Sequence, residues 1–328
     1  MRKRYLAAAA AATFSFTALS QAPAFAADAP AGTLLHQVIT NEQAGWAEPG
    51  GSTGITQGSI TALPNGSSQI AAVTSGNALE YNTRSASGSW QGWDTLLQTG
   101  VTVENAGVAG MPNGSSQFIE VTSTGALEHN ILEADGSWQS YGWGSPAGST
   151  GISQAAITAL PNGSSEIVAV TTAGTLELNV RSASGSWQGW EAISQPGVTV
   201  EDAGVAGMPD GSSQFIEVTS TGALEHNILE ADGSWQADGW GAPHLSGPFT
   251  PSGITQAAIT ALPDGSSEIV VASSNEPPAM GIRYSTGSWD TNWTQLYESP
   301  AYVSASGASI AGMPNGDTQV IEVAQSAS

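Results

Sequence analysis

The sequence predicts an all-β fold: a six-bladed β-propeller of four-stranded antiparallel blades, closed by its own two ends. Three observations predict it. The turn Leu63-Pro64-Asn65-Gly66-Ser67-Ser68 returns as LPNGSS at Leu160, as LPDGSS at Leu262, and as MPNGSS or MPDGSS at Met111 and Met208, with a diverged MPNGDT at Met313. Its glycines, Gly66, Gly114, Gly163, Gly211, Gly265 and Gly316, are spaced by 48, 49, 48, 54 and 51 residues, a period that marks stacked or radial repeats. The last repeat also stops half-written, and its missing half stands at the start of the chain.

Residues 1–26 are set apart. Arg2, Lys3 and Arg4 precede an Ala-, Leu- and Phe-rich run that ends at Ala24-Phe25-Ala26. That is the pattern of a removable signal peptide, so the expected mature chain begins at Ala27, is secreted, and forms the propeller from 27 to 328. The apolar run is too short and alanine-rich for a membrane span. With no cysteine in the sequence, an oxidising compartment supplies no disulfide, and stability must come from the core.

Each repeat then reads as four strands. Gln154–Leu160 is a small-residue strand ending at the Pro-Asn-Gly turn, and Glu166–Thr171 is rich in β-branched residues. After the Ala173-Gly174 turn, Leu176–Val180 makes a third strand; Ser184-Gly185-Ser186 opens a fourth at Trp187–Glu191. One such sheet cannot bury both faces alone, and radial packing of several gives a propeller. Five repeats are complete, carrying Trp90, Trp138, Trp187, Trp235 and Trp289. The sixth starts near Ala308 and has two strands. Gly32–Val38 matches Gly125–Ile131, and Gly45-Trp46 matches Gly142-Trp143, so the N-terminus is expected to supply the outer strands of the last blade. A second period of 97 residues links Trp90 to Trp187 and Trp138 to Trp235. Blades therefore alternate, odd and even, about an approximate threefold axis. The third pair is diverged, with an insertion around Pro243-His244-Leu245 and a broken hairpin at Glu276-Pro277-Pro278.

Removal of the leader leaves Arg84, Arg181 and Arg283 against 28 acidic residues, a net of −25. Such a surface repels nucleic-acid backbones and anionic membranes and serves solubility.

Candidate ligand-binding residues recur with the blades. Counting through the Thr124-Gly125 turn sets Glu120 opposite His129, Glu217 opposite His226 and, across the closed ends, Glu322 opposite His36. Directly opposed side chains touch. The pairs fit either a buried hydrogen bond in a blade seam or a ligand pocket; one His and one Glu per blade are too few for a metal. Arg84, Arg181 and Arg283 share one position in the odd blades. They suit a salt bridge with Glu80 or Glu177, or a guanidinium lining a sugar pocket. The tryptophans that open fourth strands suit the wedge between blades. The set following them, with Trp93, Trp190 and Trp293, suits stacking on a sugar face. Glycosidases need two converging carboxylates; repeated acids spread around the axis, and no nucleophile elbow, metal-protease helix or nucleotide loop appears. No catalytic residue, cofactor or metal is expected.

One blade, written SSEIVAV from Ser164, AGTLELNV from Ala173 and GSWQGW from Gly185, resembles the bacterial and fungal β-propeller lectins of the tectonin and fucose-lectin kind. The resemblance covers all six repeats, from about Gly32 to Ser328. It implies monosaccharide pockets between neighbouring blades, with Arg, Glu and an aromatic ring. The partners it implies are glycans or glycoconjugates; a protein-interaction scaffold is the alternative.

Overall fold

A computed structural model describes residues 31–40, 46–96, 98, 100–146, 148–243, 251–273, 276–296 and 305–324. The expected leader at 1–26 with its expected cleavage site, and most of the insertion at 243–245, lie outside the described residues. All the regular structure described is β, in six antiparallel sheets.

Blade 1 comprises Ile55–Ala62, Ser68–Thr74, Leu79–Arg84 and Trp90–Leu96; blade 3 comprises Ile152–Ala159, Ser165–Thr171, Leu176–Arg181 and Glu191–Ala192. Blade 5 follows the same plan with Ile254–Ala261, Ser267–Ser273, Glu276–Arg283 and Thr294–Gln295. The even blades pair three strands: Val103–Gly110, Ser116–Thr122 and Leu127–Leu132 in blade 2, and Val200–Gly207, Ser213–Thr219 and Leu224–Leu229 in blade 4. Their expected fourth strand is reduced to single bridges such as Leu132 with Trp138 and His129 with Gly144. The hairpin expected to break at Pro277-Pro278 survives instead, because a bulge beside Val271 absorbs the irregularity and lets Glu276–Arg283 pair.

Blade 6 closes the ring. Leu34–Ile39 lies antiparallel to Thr318–Ala324, which pairs on its other side with Ala305–Gly312. Ala47 bridges to His36 as the outermost remnant. The N-terminal strand thus completes the C-terminal blade, as the repeat arithmetic requires.

The second strand of every blade is almost wholly buried, as its β-branched composition demands. The apolar residues divide into six clusters, one in each seam between neighbouring blades. Tryptophans of each blade pack back against the blade before it: Trp90 and Trp93 toward blade 6, Trp138 and Trp143 toward blade 1, and so around the ring. The inner strands surround an axial channel, one mouth of which is ringed by Leu63-Pro64, Met111-Pro112 and their four copies. At the Pro-Asn-Gly turns an Asn or Asp carboxamide or carboxylate oxygen accepts the backbone N–H two residues on, as Asn65 does from Ser67 at 2.9 Å.

Candidate functional site

The seams are of two kinds, and register decides which residues enter each. The loop Ser123-Thr124-Gly125 is three residues long: Thr122 N–H donates to Ala126 O at 2.9 Å and Gly125 N–H to Thr122 O at 2.8 Å, with Gly125 at φ +73°. This corrects the pairing expected from sequence by one residue. Glu120 stands opposite Glu128 and His129 opposite Ile119; Glu217 opposite Glu225 and His226 opposite Ile216; Glu322 opposite Leu35 and His36 opposite Ile321. In the odd blades Ala72 likewise faces Glu80 and Ala169 faces Glu177. A one-residue shift exchanges the two faces of a strand, so the glutamates and histidines point into different seams.

In the seams from an even blade to the next odd blade, the structure brings His and Arg together. His129 Nε2 lies 2.8 Å from Gln117 Oε1, which also accepts Ser165 Oγ–H of blade 3 at 2.9 Å. Gln117 Nε2 in turn donates to Met111 Sδ at 3.1 Å. That orientation makes the imidazole the donor to Gln117. The same relay joins His226, Gln214, Ser267 and Met208, and joins His36, Gln319, Ser68 and Met313. Each imidazole is met edge-on by the indole of the following blade: His36 by Trp90, His129 by Trp187 and His226 by Trp289, with centroids 5.1–5.3 Å apart. Beside each stands the arginine of that blade. Burial first, and the neighbouring guanidinium as well, depress the imidazoles to about 4 for His36 and about 3 for His129 and His226, so all three are neutral.

The arginines are half-buried, and each guanidinium lies over the glycine of its own outer turn; a Cβ on Gly88 or Gly185 would come 3.0 Å from Arg84 or Arg181 Nη2. Among the described residues no carboxylate comes within 4.0 Å of any of them, so the salt bridges considered with Glu80 and Glu177 are not formed. Desolvation lowers Arg84 and Arg283 from the usual guanidinium range, and Glu230 of the preceding blade acts on Arg283 from beyond ion-pair distance.

Trp93, Trp190 and Trp293 pack against the apolar clusters of these same seams, Trp293 the deepest at 9 % exposed.

The seams from an odd blade to the next even blade receive the glutamates. Glu120 is fully buried and accepts Gln98 Nε2–H; burial first, then the facing Glu128, raise it to about 8. Glu217, beside Glu225 and Gln195, is raised to about 7 for the same reasons. Glu322 lies on the corresponding face of blade 6. These three carboxyls do not share a seam with His36, His129, His226 or the arginines. Sequence reasoning passed over Gln117, Gln214 and Gln319, although Gln recurs one residue after the second-strand serine or threonine of every even blade.

No protein-family model matches the chain, and no curated protein matches it. Solved structures do. The BP39L lectin from Burkholderia pseudomallei is 17% identical, with a TM-score of 0.56 over 81% of this chain and 79% of its own. The fucose-specific lectin from Aleuria aurantia is 14% identical, with a TM-score of 0.52 over 80% of this chain and 87% of its own. The NanB sialidase from Streptococcus pneumoniae, in a mutant form, is 11% identical, with a TM-score of 0.59; the match covers 80% of this chain and 64% of that one. The chain thus shares the propeller fold of these bacterial and fungal lectins.

Proposed function

We propose that this protein is a secreted, non-catalytic glycan-binding propeller with up to three equivalent sites at the even-to-odd seams. The observation that carries the reading is the set of three half-buried arginines, each without an ion-pair partner among the described residues and each beside a neutral imidazole and an indole. A partly desolvated cation without a counter-charge costs stability, and its repetition at every such seam is explained by a ligand. Guanidinium supplies planar paired donors suited to adjacent hydroxyls. Glu230 stands in the preceding blade's outer turn, where its carboxylate can accept from the same sugar; Glu133 holds that position in blade 2. The indoles supply the apolar wall. The histidines, their Nε2 protons given to glutamine, position this wall. Lectin structures sharing the fold support the reading, as does the dispersal of the arginines among three seams, which leaves no single asymmetric centre for catalysis. Three weak sites on one rigid disc gain avidity on a multivalent surface.

The test is a glycan array followed by calorimetry on the leading sugar. Substituting Arg84→Ala, Arg181→Ala and Arg283→Ala together is expected to weaken binding at least tenfold, with free sugar displacing the glycoconjugate. Unchanged binding in the triple variant removes the reading, and turnover of chromogenic sialosides or glycosides replaces it with an enzyme.

A further inference from the structure

Within the odd-to-even set, one seam departs from its sister. Between blades 1 and 2 a cleft of about 420 Å³ is walled by Gln69, Tyr81, Thr83 and Gln91 on one side and by Glu133 and Asp135 on the other. Of the 16 residues that line it, 13 recur unchanged 97 positions later in the seam between blades 3 and 4. The three that change are Gln69, Tyr81 and Thr83, replaced there by Glu166, Leu178 and Val180. Blade 5 carries Met280 and Ile282 at the positions of Tyr81 and Thr83. In a repeat kept this faithfully, an apolar wall made polar in one copy alone is not a packing requirement, since Leu178 and Val180 fill the same place elsewhere.

The polar residues are also organised. Gln69 accepts Ser116 Oγ–H from blade 2 and donates Nε2–H to Thr83 Oγ1 at 3.4 Å, which leaves the Thr83 hydroxyl proton available to the cleft. In the sister seam Val180 gives Glu166 nothing to bond, and Glu166 Oε2 is buried without a hydrogen-bond partner. Tyr81 is fixed edge-on against Phe118 and Trp138, at 5.8 and 5.7 Å. Among the described residues no basic one lines the cleft, while Glu133 and Asp135 do; an anion is disfavoured, and a ligand offering both hydroxyl donors and acceptors is matched. The volume suits a small ligand.

We propose that this cleft is a single, non-repeated binding site for a neutral polyhydroxylated ligand of one or two sugar rings. It lies between other blades than the arginine sites, holds no arginine and, although Glu133 borders both, does not depend on them.

The probe is a panel of L-fucose, D-galactose, D-mannose, N-acetyl-D-glucosamine and lactose, titrated calorimetrically into the full chain and into the variant lacking Arg84, Arg181 and Arg283. The arginine-free chain is expected to bind one equivalent of at least one sugar. Adding Tyr81→Leu with Thr83→Val, residues the sister blade already accommodates, is expected to weaken that binding at least tenfold. Conversely, Glu166→Gln, Leu178→Tyr and Val180→Thr together are expected to raise the stoichiometry from one to two. An arginine-free chain that binds no sugar of the panel overturns the cleft site while leaving the arginine seams standing. Binding that survives Tyr81→Leu with Thr83→Val overturns it as well. One equivalent lost with Tyr81 and Thr83 but indifferent to the arginines keeps the cleft site and removes the arginine reading.

Discussion

Gln117, Gln214 and Gln319 each take protons from a histidine of their own blade and a serine of the next. Replacing Gln117 by Leu leaves two buried donors unmet, at about 1–3 kcal/mol for each; urea unfolding should show the loss. The buried titratable groups set a second expectation. His36, His129 and His226 are depressed when folded, so below about 6.5 the unfolded chain binds more protons and stability falls with falling pH. Glu120, Glu217 and Asp202, the last buried where its carboxylate accepts the Ala257 N–H of the next blade, are raised by burial to about 8, 7 and 7, so the folded chain binds more protons above about 4.5 and stability falls with rising pH until they ionise. The two effects oppose between these limits and act alone outside them. A scan of melting temperature against pH is expected to peak between about pH 4.5 and 6.5. Glu120→Gln with Glu217→Gln should flatten its alkaline side.

At the scale of strands, neighbouring blades approach most closely along the axial channel. Gly110 donates to Thr61 Oγ1 at 2.8 Å, and a Cβ there would lie 2.1 Å from the Ala62 carbonyl oxygen. Gly110→Ala is expected to cost about 1–3 kcal/mol by overpacking, whereas Gly144→Ala, with nothing within 4 Å of its Cβ, should be near neutral; equilibrium unfolding of the pair measures the difference. Strand order, blade count and the closing segment were legible in the sequence because a repeated turn and a half-missing repeat constrain topology directly. The site was legible only in part. His129 and Arg181 could be named from their recurrence, but which side of a blade each occupies depends on whether one hairpin loop has three residues or four. That choice rests on Gly125 taking a left-handed conformation, and the miscount by one placed Glu120 beside His129 instead of across the sheet from it. The fourth strands misled for a similar reason: a Gly-Ser-Trp turn announces a strand, yet in blades 2 and 4 only isolated bridges follow.

For the whole molecule, the ring depends on a single six-residue strand. Leu34 is fully buried in the seam between blades 6 and 1, and Leu34→Ala is expected to cost about 2–5 kcal/mol, read from the midpoint of chemical unfolding. Deleting Leu34–Ile39 altogether leaves Thr318–Ala324 as an open edge. Such edges recruit other chains, so the truncated protein should elute as dimers or larger species on size exclusion where the intact protein does not.

The closing strand also imposes an order of events. Leu34 meets Val323 across almost the entire length of the polypeptide. Folding from the N-terminal side therefore leaves this β-segment unmatched until Thr318–Ala324 is in place. Contacts this remote in sequence slow folding, and here the slow step is ring closure: five blades can form from neighbouring segments, and the sixth waits for Leu34–Ile39 to meet Thr318–Ala324.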